Sequence, residues 1–214
     1  RADVALGLDN GLLVEARKTN IFQPHKTDIS GLLPSLTWQD DHFIPYDFGY
    51  FAFVYDSNKI PEPADSFAAL LASDAKIIYQ DPRTSTPGQG LMMWVQAVFT
   101  DRSAEAWQQL AEQTVTVTKG WWESYGMFLE GASDYVLSYT TSPAYHMLTE
   151  DKHHIKAAQF KEGHIRQIEV AGITRYAKNP ELAQHFLQFL LSTEAQQIIP
   201  VTNWMLPVVE GVAL

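Results

Sequence analysis

Short apolar runs of strand character alternate along the whole chain with longer segments whose apolar residues recur at helical spacing. A chain that keeps switching between these two periods folds as an α/β protein on a largely parallel sheet, because crossover helices are what join parallel strands. The strand candidates are Val4 to Leu8, Phe51 to Tyr55, Ile77 to Tyr79, Thr114 to Thr118, Tyr135 to Tyr139 and Ile165 to Ala171. Helical spacing falls on Ser66 to Ser73, Pro87 to Phe99, Ala104 to Gln113, Trp122 to Glu130, Pro180 to Leu191 and Thr193 to Ile199.

Several helix starts have a local cause. Thr86-Pro87 places a hydroxyl cap before a proline at the first helical position, where the missing N–H has no cost. Asn179-Pro180-Glu181 repeats that pattern. Thr193 and Gln196 have capping-box spacing, which starts another helix after a break near Ser192. Gly49 to Asp56 and Asp134 to Tyr139 are continuous apolar and aromatic runs, the mark of strands covered on both faces. They are expected to lie side by side, cross between two lobes and serve as a hinge.

With 214 residues and 46% hydrophobic content, the chain can form one large domain or two modest lobes. A net charge of -10 argues against a nucleic-acid partner and favours attraction of a small cation. Cysteine is absent, which excludes disulfides, a thiolate nucleophile and sulfur-ligated zinc. No run approaches the roughly 20 apolar residues that span a bilayer. The opening Arg1-Ala2-Asp3-Val4 reads as the polar lead-in to a strand, with neither an initiating methionine nor a secretion signal, as in a truncated or processed chain.

Ligands of α/β sheets gather beyond the carboxyl ends of strands, where loops open into helices. Three loops fit. Tyr79-Gln80-Asp81-Pro82-Arg83-Thr84-Ser85-Thr86-Pro87-Gly88 offers helix-start N–H groups beside the Ser85 and Thr86 hydroxyls, suited to a hydroxyl or phosphate, or else is an ordinary capped loop. Thr118-Lys119-Gly120-Trp121-Trp122 places adjacent indoles at a helix start, and both cannot face the core. One is available to stack on a flat or cationic ligand, or both cover the surface. Tyr139-Thr140-Thr141-Ser142-Pro143-Ala144-Tyr145 ends an apolar strand in three hydroxyl residues, with Tyr145 close to one helical turn beyond Ser142.

Enzyme motifs are missing: the chain has no Gly-x-Ser-x-Gly elbow, no phosphate-binding Gly-rich loop and no His-Glu-x-x-His run. Asp81 and Asp134 are candidates for a carboxylate pair that nothing in the sequence places together. His153-His154 with His164 suggests zinc, but the polar flanks favour a solvated turn. The expectation is a binding protein that uses no metal and no cofactor.

Taken in order, the segments 2–10, 46–56, 81–88, 114–121 and 137–145, continuing through Gly163-His164 to Asn203-Trp204-Met205, resemble the bacterial periplasmic thiamine-binding proteins of ABC importers over nearly the whole chain. The resemblance implies a two-lobed periplasmic binding protein fold of type II, the iron-transporter-like class, apparently truncated at both ends. It implies residues 1–52 and 155–214 as one incomplete lobe and 53–154 as the other. It also implies a monomer that closes on thiamine, thiamine monophosphate or thiamine diphosphate in the periplasm and delivers it to a membrane permease.

Family contacts map onto Ser85, Thr86, Trp121, Tyr139, Thr140, Thr141, Ser142 and Tyr145. The chemistry agrees. Thiazolium is a permanent cation that the faces of Trp121 and Tyr145 can hold, and the aminopyrimidine can stack and form hydrogen bonds. A phosphate would go to the Ser85–Thr86 helix start or to the Thr140 to Ser142 turn. The rival is an iron(III)-binding protein of the same fold, for which Tyr139 and Tyr145 would be ligands, although they do not form a tight pair.

Overall fold

The aromatic run 49–56 is the second half of a longer strand, β3 (Phe43–Asp56), almost wholly buried in the computed structural model, which describes residues 2–212. Arg1 of the lead-in lies outside the described residues. The chain divides into two compact units, one running to Gly49 and resuming at Gln167, the other spanning Tyr50–Arg166. The first passage between them lies within β3, and the second at the start of β8 (Arg166–Thr174).

In the second unit, β7 (Ile155–Ala157), β3, β6 (Tyr135–Tyr139), β4 (Ile77–Gln80) and β5 (Thr114–Thr118) are neighbours in that order. β6 runs antiparallel to β3, from Phe51 opposite Tyr139 to Tyr55 opposite Tyr135. The two apolar runs are therefore side by side, but β6 belongs wholly to the second unit and does not cross. Its burial on both faces comes from its central place in this sheet. Phe53, Ile77, Tyr135 and Leu137 enter one cluster with Phe67, Trp94 and Phe160, while Val54, Ile78 and Val136 enter another with Tyr125 and Phe128. Alternating side chains of the same strands thus feed two cores, which is why no polar alternation is visible.

Five helices complete this unit: α2 (Phe67–Leu71), α3 (Thr86–Phe99), α4 (Ser103–Gln113), α5 (Trp121–Leu129) and α6 (Ser142–Glu150). Parallel pairing occurs where these supply crossovers, between β4 and both β5 and β6. The largely parallel sheet expected from the sequence is corrected elsewhere, since β6 and β7 pair antiparallel with β3.

The first unit contains β1 (Val4–Asp9), α1 (Leu13–Lys18), β2 (Phe22–Gln23), β8, α7 (Pro180–Leu190), α8 (Thr193–Thr202) and β9 (Leu206–Pro207). Its described registers are also antiparallel: β1 and β2 pair with β8, and β9 pairs with β3. Ile44, Tyr46, Ala171, Ile173, Ala183 and Leu187 form its core. The helix break near 192 is present, but the cap is Ser192, whose hydroxyl accepts from Ala195 N–H at 3.3 Å. Gln196 is no capping-box partner. It is buried, donates to Tyr46 O and Leu190 O, and accepts from Val208 N–H.

This unit also buries charge. Asp47 has no exposed surface and accepts from Asn203 Nδ2 at 2.6 Å, while Glu169 accepts from Tyr46 Oη at 2.5 Å and from Gln167 Nε2 at 3.1 Å. Burial, and then the charge of Glu169, push the Asp47 carboxyl far above the usual carboxylate range. Burial also raises Glu169.

The native state therefore holds a proton that the unfolded chain has released, so stability falls as pH rises from about 4 through neutrality. Replacing Asp47 by Asn keeps an acceptor for Asn203 and removes the ionisation. In urea titrations across pH 4 to 9, Asp47→Asn is expected to flatten that decline; an unchanged slope would place its origin elsewhere.

Candidate functional site

Because β4 runs parallel to both β5 and β6, the starts of α3, α5 and α6 emerge beyond the same edge of the second unit's sheet. The loops are tied together there. Asp81 N–H donates to Thr118 O at 2.8 Å, and Thr84 Oγ1 donates to Lys119 O at 2.7 Å. Arg83 folds back onto Asp81 and holds its carboxyl down at about 2, well below the usual range. Gly88 allows the tight approach of α3, since a Cβ there would lie 2.3 Å from Gln80 O and 2.7 Å from Pro82 N.

None of the three helix starts is closed by its own cap side chain. The cap of α3 is Ser85 rather than the Thr86 expected from the sequence, and the Ser85 hydroxyl makes no cap bond. Thr86 is already helical because Pro87 sits in the first turn. α5 begins at Gly120, which has no side chain, and α6 follows Thr141, which makes no cap bond. The side chains at the three cap positions therefore leave these helix starts unclosed, though Pro87 has no N–H in the first turn of α3 and Glu123 adds an acidic group to that of α5.

The indole pair divides its roles. Trp122 is 83% exposed, whereas Trp121 is half-buried, donates from Nε1 to Ser138 Oγ at 2.7 Å and stacks on Tyr125 at 4.7 Å. Ser138 is shared with Ser142 at 2.7 Å, and Ser142 Oγ accepts from Tyr139 N–H at 3.2 Å. The buried Ser142 hydroxyl is thus committed to holding the strand end to α6. Thr140 and Thr141 are half-buried, and the Thr141 hydroxyl oxygen is enclosed without a hydrogen-bond partner among the described residues. Tyr139 packs against Phe51, and the exposed Tyr145 meets His146 edge-on at 5.2 Å.

The structure accordingly joins Trp121, Tyr139 and Ser142 through Ser138, and ties the Ser85–Thr86 loop to the Trp121 loop through Thr84 and Lys119. Tyr145 connects to Trp121 through the rings of His146 and Tyr125. Asp81 and Asp134 are not brought together: Asp81 follows β4, whereas Asp134 precedes β6 and accepts from Lys76 N–H before β4. His153 faces Asp151, and His164 bonds Phe51 O and packs on Trp94. Among the described residues, no group of three or more His, Asp or Glu is placed to hold a metal.

Sequence reasoning gave no role to Gln80, although it lies in the first candidate loop, and missed Ser124, Tyr125, Ser138 and His146 as site residues. Gln80 Nε2 donates to Ser124 Oγ at 2.5 Å and to Leu137 O at 2.9 Å, linking β4, α5 and β6. The available signal was a polar residue inside or ending an apolar strand, as in Ile78-Tyr79-Gln80 and Leu137-Ser138-Tyr139.

Residues 37–200 match the sequence profile of the bacterial extracellular solute-binding proteins. The thiamine-binding periplasmic protein of Escherichia coli (strain K12) is 55% identical over 210 residues, covering 97% of this chain and 64% of that protein. That of Haemophilus influenzae (strain ATCC 51907 / DSM 11121 / KW20 / Rd) is 47% identical over 214 residues, 99% of this chain and 64% of the relative. The chain thus spans slightly less than two thirds of these relatives. A solved periplasmic thiamin binding protein superposes with a TM-score of 0.95 at 54% identity, over 100% of this chain and 67% of that one. The ferric binding protein from Campylobacter jejuni, at 19% identity, shares the fold with a TM-score of 0.82 over 100% of this chain and 72% of its own.

The close approach at Gly88 gives a direct check on the loop. Gly88→Ala sets a methyl against backbone atoms that cannot swing aside, and is expected to destabilise the protein by about 1 to 3 kcal/mol. Calorimetric unfolding reads this, and an unchanged midpoint would mean that α3 does not depend on the packing seen here.

Proposed function

The chain belongs to the bacterial extracellular solute-binding protein family, and from that premise we propose that it binds thiamine and its mono- and diphosphate in the periplasm, as the receptor of an ABC importer. It delivers the ligand, as a monomer, to a membrane permease and leaves it chemically unchanged. The observation that carries this reading is the gathering of three uncapped helix starts at one sheet edge, alongside Trp121 and Tyr145. The thiamine-binding names of relatives about half identical to this chain support the same ligand.

Each part of thiamine has a chemical counterpart. Thiazolium carries a fixed positive charge, which an indole or phenol face attracts most strongly when water is excluded. Trp121 is presented at a helix start with its N–H already satisfied by Ser138, so its ring can face a ligand without leaving a buried donor unpaired. The net charge of -10 draws the cation from a distance. A phosphate is best received at the start of α3, where the Ser85 hydroxyl makes no cap bond and no acidic residue sits in the first turn. At the α6 turn the Ser142 hydroxyl is already used, which leaves the Thr141 hydroxyl, unpartnered among the described residues, beside Thr140 and Tyr139 as the second place for polar contacts.

Calorimetric titration of the intact protein with thiamine and both phosphates tests this reading, and absence of binding to all three would sink it. Trp121→Ala is expected to weaken thiamine binding by about 2 kcal/mol, roughly thirtyfold, with a much smaller effect on unfolding. Unchanged affinity would return Trp121 to surface packing. Ser85→Ala is expected to weaken the phosphorylated ligands more than thiamine itself, because only they carry the anion. An equal loss for all three would place the phosphate elsewhere.

A further inference from the structure

Between α5 and α6 lies a chain of buried polar groups that capping and strand pairing do not require. Tyr125 follows Trp121 by one helical turn, and their rings stack at 4.7 Å with planes 21° apart. Tyr125 Oη lies 2.9 Å from His146 Nε2, and these two rings are also nearly parallel, 16° apart. His146 Nδ1 lies 2.7 Å from Glu150 Oε2, one turn further along α6. Lys152 Nζ meets the same carboxylate oxygen at 3.2 Å, and Lys152 N–H caps His146 O at 2.9 Å. Tyr145, beside His146 in sequence, sets its ring edge-on to the imidazole.

His146 is 1% exposed and Tyr125 6%. A phenylalanine pair would fill comparable space without removing a phenol and an imidazole from water, so packing alone gives no reason for polar groups here. What the polar groups add is orientation. An imidazole bonded at both nitrogens cannot rotate about χ2, and a phenol bonded at its oxygen cannot slide along the ring beneath it. The direction of the bonds follows from the charges. Glu150 is held below the ordinary range by its bond from His146, so it stays an acceptor. Burial, and then the charge of Glu150, keep the Tyr125 O–H protonated and so able to donate. In the tautomer with its proton on Nδ1, the imidazole donates to Glu150 and accepts from Tyr125 at Nε2.

Trp121 thus rests on two supports, Ser138 at its N–H and Tyr125 beneath its ring, and Tyr145 rests on His146. We propose that Tyr125, His146 and Glu150 form a positioning relay that sets the orientation of Trp121 and Tyr145, and through them the affinity for the cationic ring of the ligand. None of the three need touch the ligand. The relay rests on the reading of Trp121 as a ligand-facing ring.

The test uses the intact protein and variants that conserve shape. Tyr125→Phe removes one hydroxyl and keeps the stack, Glu150→Ala removes the anchor of His146, and Glu150→Gln restores an acceptor without charge. Thiamine affinity is measured by calorimetry, and the indole N–H resonance of Trp121, identified by its loss in Trp121→Phe, reports ring position. Tyr125→Phe and Glu150→Ala are each expected to weaken binding about three- to tenfold and to move the Trp121 resonance. Glu150→Gln is expected to recover most of both. The proposal is overturned if both disruptive variants leave affinity and resonance unchanged, or if they lower the unfolding midpoint alone, which would make the relay simple packing. If instead Trp121→Ala leaves thiamine affinity intact, the ligand-facing reading fails, and the relay loses its binding role whatever the resonance does.

Discussion

The burial of β3 on both faces is the constraint on which the second unit depends. Phe51, Phe53 and Tyr55 point into one core and Val54 into the other, so neither face of the strand can tolerate solvent. Antiparallel pairing with β6 fixes the register, and β6 pairs in turn with β4, whose parallel alignment with β5 sets three loop ends at one edge. A one-residue slip between β3 and β6 would exchange the two cores and carry the α6 start away from Trp121. Gly90 shows how closely the layers meet, since a Cβ there would overlap the Phe51 ring at 2.0 Å.

How much of this could be read from the sequence depends on whether the cause was local. The elements were legible because their periods are local: β5, 114–118, and β6, 135–139, coincide with the strand candidates, and α3 begins one residue before the proline expected to open it. Pairing direction was not legible, because it depends on which strands share a crossover helix and which meet across long separations. Which other strand carries the chain between units was not legible for a related reason. An apolar run covered on both faces looks the same whether it crosses between units, as β3 does, or sits centrally within one, as β6 does.

At the candidate site, the loops were legible and their connections were not. Ser85, Trp121 and Tyr145 stand out because a strand leads into a helix beside each of them. The groups that orient them, Ser138, Tyr125 and His146, are single polar residues within apolar segments, and their partners lie on other elements. Their role shows only when a buried hydroxyl or imidazole must find a partner, a condition that sequence spacing across 17 or 21 residues does not reveal. Asp47 and Glu169 belong to the same category, since their strong shifts come from burial among residues distant in the chain.

The contrast among serine caps carries the functional argument furthest. Ser66 and Ser192 close their helices conventionally, each accepting from the N–H three residues on, at 3.1 and 3.3 Å. Ser85 occupies the same position at α3, with the same extended backbone, and makes no such bond. Leaving a cap unmade costs a helix about 0.5 to 2 kcal/mol, so a serine that could cap and does not is an expense the local structure has no use for. It gains meaning beside two further helix starts at this edge, where Gly120 supplies no side chain and Thr141 makes no cap bond, and of the three only α5 carries an acidic residue, Glu123, in its first turn. On the proposed reading, a Ser85 hydroxyl that makes no cap bond need not be stripped of that partner when an anion arrives, and Trp121 is already held in place by Ser138 and Tyr125.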